Sequence, residues 1–396
     1  MAPDRLQKPL APPGAAGAEP YLPFARPSLD EDTIAAVADV LRSGWITTGP
    51  LTRQFEAALS DYFGGRTAMT FTSATAALEA ALLVAGVGPG DEVITPAMSF
   101  AATANVILRV GAKPVFVDVE LASRNIDLDR VEAAITSRTR AILPVHFAGR
   151  AVDMDRLYEI AGRRGLRVIE DAAQAMGTTW RGRRIGACGD LVVFSFHPNK
   201  NMTTIEGGAL VLDSPAEAKL AELHRFHGIQ RTASGDIDVE LAGGKSNLTD
   251  VAAAVGLGQL RRLEAFNARR RDLAALYFAR LGADAALALP DRNDAGHNWH
   301  MFNPLLPLDR MTIDRNEFIR RMHERGIGVG IHYPALHQLA LYRRLGHAQH
   351  SHPDAERIGR ETVTLPLFAG MADSDVERVC SAVRDVLCGA MSGGAG

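Results

Sequence analysis

The sequence predicts an α/β fold: a large domain on a mostly parallel sheet, then a smaller C-terminal α+β domain. Three observations carry this. Short apolar runs alternate with helical stretches between residues 68 and 212, the rhythm of a parallel sheet with helices on both faces. The chain has 396 residues, more than one hydrophobic core normally organises. Beyond about residue 278 the alternation gives way to mixed helical and strand-like pieces.

The elements follow in order. Residues 1–20 are rich in Pro, Ala and Gly and lack an apolar h-region, so they read as a flexible leader and not as a signal peptide. Asp30 to Ser43 has helical spacing, with Ile34, Val37, Val40 and Leu41 on one face. Gly44 to Pro50 is turn-prone. Ala68 to Phe71, Glu92 to Thr95, Pro114 to Val119, Ala141 to Phe147, Leu166 to Ile169, Leu191 to Phe196 and Ala209 to Leu212 read as strands. Ala74 to Ala85, Asp127 to Ile135 and Met154 to Arg163 read as helices between them. Asp250 to Arg280 is one long helical stretch leaving the large domain, which spans 21–277. In the small domain, 278–396, Met301 to Leu306 and Ile327 to His332 are strand-like, while Arg315 to Arg325 and Asp373 to Leu387 are helical.

Composition narrows the function classes. Hydrophobic residues make up 47% and charged residues 22%, the balance of a folded globular protein. A net charge of -3 offers no basic field for nucleic acid. No apolar run approaches a membrane span: Ala76 to Val87 is too short and carries Glu79. Cys188, Cys380 and Cys388 form neither a disulfide framework nor a zinc pattern, so reduced thiols and a cytoplasmic location are expected. His347, His350 and His352 lie among small polar residues without HExxH or paired-Cys spacing, so no metal is expected. Gly326 to Gly330 lacks the G-x-G-x-x-G spacing and leads into a strand, so a nicotinamide site is not expected either.

Chemistry gathers around Lys200. The chain has thirty-eight arginines and five lysines, so each lysine invites a question. Lys200 follows the apolar run that ends FSFHP. An amine at a strand end, partly desolvated, has a lowered pKa and attacks carbonyls. Asp171 ends the run VIED, and at the carboxyl end of a parallel strand it faces the ligand crevice. There it could hold a pyridine nitrogen protonated. Ser73 and Ala74 join a strand to a helix whose first N–H groups suit a phosphate, and Ser195 could add a hydroxyl. Phe100 lies just past another strand, where an aromatic ring could stack on a cofactor.

The segments SGWITTGP, TSATAALEAAL, VITPAMSFAATAN, VIEDAAQAMG, FSFHPNKNMTTIEGG and NLTDVAAAVGLGQL occur in order. Together they resemble the DegT/DnrJ/EryC1/StrS sugar aminotransferases, from about Leu22 to Leu387. LPFARP, GKSNLTD, GIGVGIHY and TLPLF resemble the UDP-4-amino-4-deoxy-L-arabinose–oxoglutarate aminotransferase branch. The resemblance implies the PLP-dependent fold type I, similar to aspartate aminotransferase, with pyridoxal 5'-phosphate as cofactor. It implies that Lys200 binds the cofactor covalently and moves the proton, and that Asp171 partners the pyridine nitrogen. Gln174 would lie near the phenolic oxygen, Ser73, Ala74 and Ser195 would cradle the phosphate, and Phe100 would stand where the closest branch has tryptophan. Either Lys245 or Asn247 would reach the phosphate of a neighbouring subunit in a homodimer. Trp45, Thr47, Thr48 and His332 would line the sugar-nucleotide site, and Arg231 would hold a donor carboxylate.

The implied reaction is ping-pong transfer from L-glutamate, which leaves as 2-oxoglutarate, to a nucleotide-linked keto sugar. A UDP-4-keto pentose is the first expectation. A UDP-, dTDP- or GDP-linked 4-keto or 3-keto deoxyhexose is the alternative. A PLP-dependent sugar dehydratase would carry histidine at the position of Lys200. A non-catalytic PLP protein would lose the lysine or gain a DNA-binding module.

Overall fold

Runs such as LVVFS and GALVL have apolar residues at successive positions, as strands buried on both faces require. In the computed structural model, which describes residues 20–282, 287–292, 296–347 and 351–391, these runs build a seven-stranded sheet. The leader up to residue 19, and His350, lie outside the described residues. The strands are β1 (Thr67–Phe71), β2 (Glu92–Pro96), β3 (Lys113–Val117), β4 (Thr139–Ile142), β5 (Arg167–Asp171), β6 (Leu191–Ser195) and β7 (Gly208–Leu212). Their order is β1-β7-β6-β5-β4-β2-β3. β7 runs antiparallel to β1 and β6, and the other pairings are parallel. A short exposed hairpin, β8 (Ile229–Arg231) with β9 (Ile237–Val239), stands apart.

The helices are α1 (Glu31–Ser43), α2 (Pro50–Tyr62), α3 (Ala74–Val84), α4 (Ala101–Arg109), α5 (Leu128–Ala134), α6 (Met154–Arg164), α7 (Pro215–Arg225) and α8 (Asp250–Leu281). After them come α9 (Arg315–Glu324), α10 (Ala340–Arg344), α11 (Pro353–Glu361) and α12 (Asp373–Cys388). The period-two pleat divides each central strand between two cores. Val192 and Phe194 join Phe55, Leu59, Leu157 and Leu263 on one face. Leu191 and Val193 join Leu78, Ile107 and Ala221 on the other. A separate apolar cluster gathers Phe318, Met322, Val379 and Val383 of α9 and α12 around Trp299 and Phe302. It also takes Leu22, and Leu273 and Tyr277 from α8. Buried Arg270 fastens this region to α8 by donating to the carbonyls of Trp299, His300 and Leu367 at 3.4, 3.2 and 2.7 Å.

Several expectations change. The stripe on α1 is not a core face: Ile34 and Leu41 are 48% and 57% exposed, and Thr33 and Val40 are the buried residues. Pro50, read as part of a turn, occupies the first turn of α2, where its missing N–H costs nothing. Ala141 to Phe147 is strand only to Ile142 and then tightens into a 3-10 turn at Phe147–Gly149. Met301 to Leu306 and Ile327 to His332 are extended but make only isolated bridges, such as Phe302 with Leu365 and Gly330 with Thr364. The rings of His347 and His352 pack on those of Phe116 and His337, with centroids 4.8 and 4.6 Å apart. Among the described residues no group of three His, Cys, Asp or Glu side chains could hold a metal ion. No described helix is long and apolar enough to cross a membrane.

Candidate active site

The topology fixes where chemistry can gather. β2, β5 and β6 end on the same edge of the sheet, and β1, antiparallel to β7, ends beside them: Phe71 and Ser195 both face Gly208. Residues just past these ends line a cavity of about 350 Å³. Ser73, Ala74, Phe100, Asp171, Gln174, Ser195, Lys200 and His332 all border it. Eight of the predicted side chains are therefore brought together from distant parts of the chain.

One wall is an anion cradle. Ser73 caps α3 by accepting the Ala76 N–H at 3.1 Å. The N–H groups of Ala74 and Thr75 are left without intrahelical acceptors and border the cavity. The cradle depends on a glycine: a Cβ on Gly208 would overlap the Ala74 nitrogen and lie 2.6 Å from the Ser73 carbonyl carbon. Ser195, at the end of β6, supplies the neighbouring hydroxyl.

The opposite wall carries ionisable groups. Asp171 is 5% exposed. Its Oδ2 accepts from Thr103 Oγ1 at 2.8 Å and its Oδ1 from the Ala173 N–H at 3.1 Å. Burial pushes the carboxyl above its ordinary value, and these donors together with Lys200 and His146 pull it back down. Desolvation lowers the Lys200 amine to about 8, partly offset by Asp171. A neutral, nucleophilic amine is thus accessible near physiological pH. His332 is lowered to about 4 by burial and then by Lys200, and its Nδ1 lies 2.8 Å from Thr364 Oγ1. Gln174 Oε1 accepts from the Ala148 N–H at 2.7 Å, while its amide nitrogen donates to Tyr333 Oη at 3.4 Å. The Phe100 ring stays 59% exposed at the mouth, 5.9 Å from Tyr333.

The remaining predicted residues lie outside this cavity. Asn247 donates to Thr48, Lys245 donates to Asn247, and Trp45 Nε1 donates to the Thr48 carbonyl at 3.3 Å. This cluster is pinned by buried Asp250, which accepts from the backbone of Gly49, Leu51 and Thr52 at 2.8 to 3.1 Å. Thr47 is exposed, and its carbonyl receives the Asp250 N–H. Arg231 is exposed on β8 and donates to Gly235 O at 3.2 Å, so it is no part of this cavity. Among the described residues no arginine lines the cavity. A wider hollow of about 590 Å³, between Tyr62, Arg184 and Glu264, holds none of the predicted residues.

Sequence reasoning missed Ser99, Thr103, Asn199, Glu206 and Tyr333. Four of them line the cavity, and Thr103 lies behind Asp171. Tyr333 follows His332 directly, and Thr103 stands three residues after Phe100 on the first turn of α4, so spacing from a chosen residue was the available signal.

An amine, a buried carboxylate, a flat aromatic ring and an anion cradle about one small cavity match the parts of pyridoxal phosphate: carbonyl carbon, ring nitrogen, ring face and phosphate. The comparisons agree. The DegT/DnrJ/EryC1/StrS aminotransferase family matches residues 27–384. The chain is 38% identical over 379 residues to the uncharacterized protein MJ1066 of Methanocaldococcus jannaschii, covering 93% of this chain and 98% of the relative. Spr1654 of Streptococcus pneumoniae, assigned as a sugar aminotransferase and solved in its PLP-form, superposes with a TM-score of 0.87 at 34% identity, covering 92% and 98% of the two chains. PseC of Helicobacter pylori, an aminotransferase involved in the biosynthesis of pseudoaminic acid, superposes with a TM-score of 0.86 at 28% identity, covering 93% and 100%. The chain belongs to the DegT/DnrJ/EryC1/StrS aminotransferase family and is a pyridoxal phosphate-dependent sugar aminotransferase of fold type I.

Proposed function

We propose that the enzyme moves an amino group from L-glutamate to a nucleotide-linked keto sugar, with a UDP-4-keto pentose as its acceptor. The observation that carries the chemistry is the facing pair, Lys200 and Asp171, on one cavity with the α3 cradle. The bound cofactor supplies the electron sink and the carbon that carries nitrogen between the two half-reactions. Lys200 takes the proton from Cα of the amino acid and hands it on as the ammonium, acting as base and then acid. Asp171 accepts the hydrogen bond of the protonated ring nitrogen. Ser73, Ala74 and Ser195 hold the phosphate, and Phe100 covers the ring. Gln174, whose oxygen is already engaged by Ala148, offers its amide N–H to the phenolic oxygen. The keto sugar runs the same proton transfers in reverse.

We further infer a homodimer. Four large apolar side chains, Ile34, Leu41, Trp45 and Ile46, are exposed on α1 and the following turn, the kind of apolar exposure that marks protein–protein contact when it is grouped. In this reading the Trp45–Thr48–Lys245–Asn247 cluster, Thr47 and Arg231 of one copy complete the site of the other, with Arg231 reaching the donor carboxylate. A large domain over 21–277, a small domain over 278–396 and a cytoplasmic location belong to the same reading.

The alternative acceptor class that the family resemblance implies is a UDP-, dTDP- or GDP-linked 4-keto or 3-keto deoxyhexose. An assay of 2-oxoglutarate release from glutamate decides between them. Turnover at least tenfold faster with the UDP-4-keto pentose supports the first assignment. Faster turnover with a keto deoxyhexose replaces it.

A further inference from the structure

Asp171 needs help to stay charged where it is. It is buried, and among the described residues its carboxylate receives two hydrogen bonds, from the Ala173 N–H and Thr103 Oγ1. His146 stands close but makes no hydrogen bond to the carboxylate. Its Nδ1 accepts from the Val152 N–H at 3.2 Å, which leaves the proton on Nε2, facing Glu170 Oε2 at 3.0 Å. Lys200 approaches from the loop after β6, and Tyr333 from the C-terminal part, its phenol raised by burial and then by Asp171 itself.

The Thr103 bond has a fixed direction. A carboxylate only accepts, so the single Thr103 hydroxyl proton goes to Asp171. Ser99 Oγ lies 2.7 Å from Thr103 Oγ1, so Ser99 must be the donor in that pair. The result is a one-way chain, Ser99 to Thr103 to Asp171, in which each bond polarises the next. Thr103 is 0% and Ser99 2% exposed, so bulk water does not compete for the chain. Both flank Phe100, and the Thr103 N–H is anchored on the Phe100 carbonyl at 3.1 Å. The short segment that offers a ring to one face of the cofactor therefore also grips the carboxylate that meets its nitrogen.

We propose that Thr103 is a positioning residue for Asp171, oriented by Ser99, and that this hydroxyl relay keeps the carboxylate ionised and aimed at the ring nitrogen. The inference rests on the reading of Asp171 as that nitrogen's partner. Thr103→Val keeps the shape and removes the donor. Losing a hydrogen bond to a charged group corresponds to roughly 10- to 100-fold in an equilibrium constant. With one stabilising donor gone, Asp171 protonates at a higher pH, so cofactor affinity falls off earlier on acidification.

The test titrates cofactor-free protein with pyridoxal phosphate at a series of pH values and follows binding by absorbance and tryptophan fluorescence. Wild type, Thr103→Val, Thr103→Ser and Ser99→Ala are compared, with circular dichroism reporting the fold of each cofactor-free variant. The expected result is a Kd raised about tenfold or more in Thr103→Val, with its acid limb moved to higher pH, and near-wild-type values in Thr103→Ser. If Thr103→Val does not fold, Ser99→Ala decides, with a smaller loss of about threefold in the same direction. Wild-type affinity and an unmoved acid limb in Thr103→Val, or in Ser99→Ala when that variant decides, overturns the relay. Failure of wild type itself to bind pyridoxal phosphate is a different outcome and overturns the cofactor assignment beneath it.

Discussion

Replacing Lys200 by Met in the cofactor-free enzyme makes the folded chain more stable at neutral pH, although it removes the residue that the chemistry needs. The reason is desolvation. The amine falls from its ordinary 10.5 to about 8 because the cavity disfavours the ammonium. That displacement corresponds to about 3 kcal/mol at ~1.4 kcal/mol per tenfold change. Below pH 8 both folded and unfolded chains carry the proton, and the folded state bears the full cost. Between 8 and 10.5 the unfolded chain holds a proton that the folded chain has released, so stability rises with pH. Above 10.5 both are neutral and the cost is gone. Met fills a similar volume without the charge. Urea unfolding of both proteins at pH 7, 8, 9 and 10 measures the difference, in which titrations of groups that do not interact with Lys200 cancel; Asp171, His300 and His332, which feel its charge, ordinarily titrate below this range. Lys200→Met leads by about 3 kcal/mol at pH 7, and the lead shrinks progressively toward pH 10. A lead that is absent at pH 7, or unchanged across the series, refutes the claim that Lys200 is held in a desolvated pocket.

Three further perturbations follow from the same geometry. Gly208→Ala drives a methyl into the Ser73–Ala74 backbone and should cost about 1–3 kcal/mol, with a weaker affinity for pyridoxal phosphate measured by equilibrium titration. Asp250→Ala strands the donors of Gly49, Leu51 and Thr52, including the Thr52 hydroxyl at 2.6 Å. The expected loss is about 3–5 kcal/mol in urea unfolding, with Asp250→Asn losing less. Charging the exposed apolar surface with Ile34→Glu and Leu41→Glu together should shift sedimentation from a dimer to a monomer while leaving the circular dichroism spectrum in place.

The sheet was legible because its strands are apolar on both faces, and the alternation of strands with helices stood out in the sequence. Boundaries failed where local chemistry was ambiguous. β5 looked finished at Ile169, since two acids follow. Glu170 is nevertheless strand and fully buried, because His146 and Tyr158 take its oxygens at 3.0 and 2.6 Å. The helix α4, with its run of Ala and Thr, has little apolar periodicity before Val106 and was not read at all. The stripe on α1 was real as a pattern, but periodicity cannot say what covers a face. At the site, residues embedded in recognisable segments were found: Lys200, Asp171, Gln174 and Ser195 all border the cavity. Thr103 and Tyr333 were not found, since each matters only through a partner far away in sequence. Arg231 stands on the β8–β9 hairpin, which carries it away from the cavity.

The most direct test is the absorption spectrum of the purified enzyme with pyridoxal phosphate, before and after L-glutamate, in wild type and Lys200→Ala. The account predicts a long-wavelength band from lysine-bound cofactor in wild type that converts to the spectrum of the aminated cofactor when glutamate is added. In Lys200→Ala the lysine-bound band is missing and glutamate drives no turnover. A wild-type protein that forms no lysine-bound band contradicts the account at its centre, and one that forms it but ignores glutamate contradicts the choice of donor.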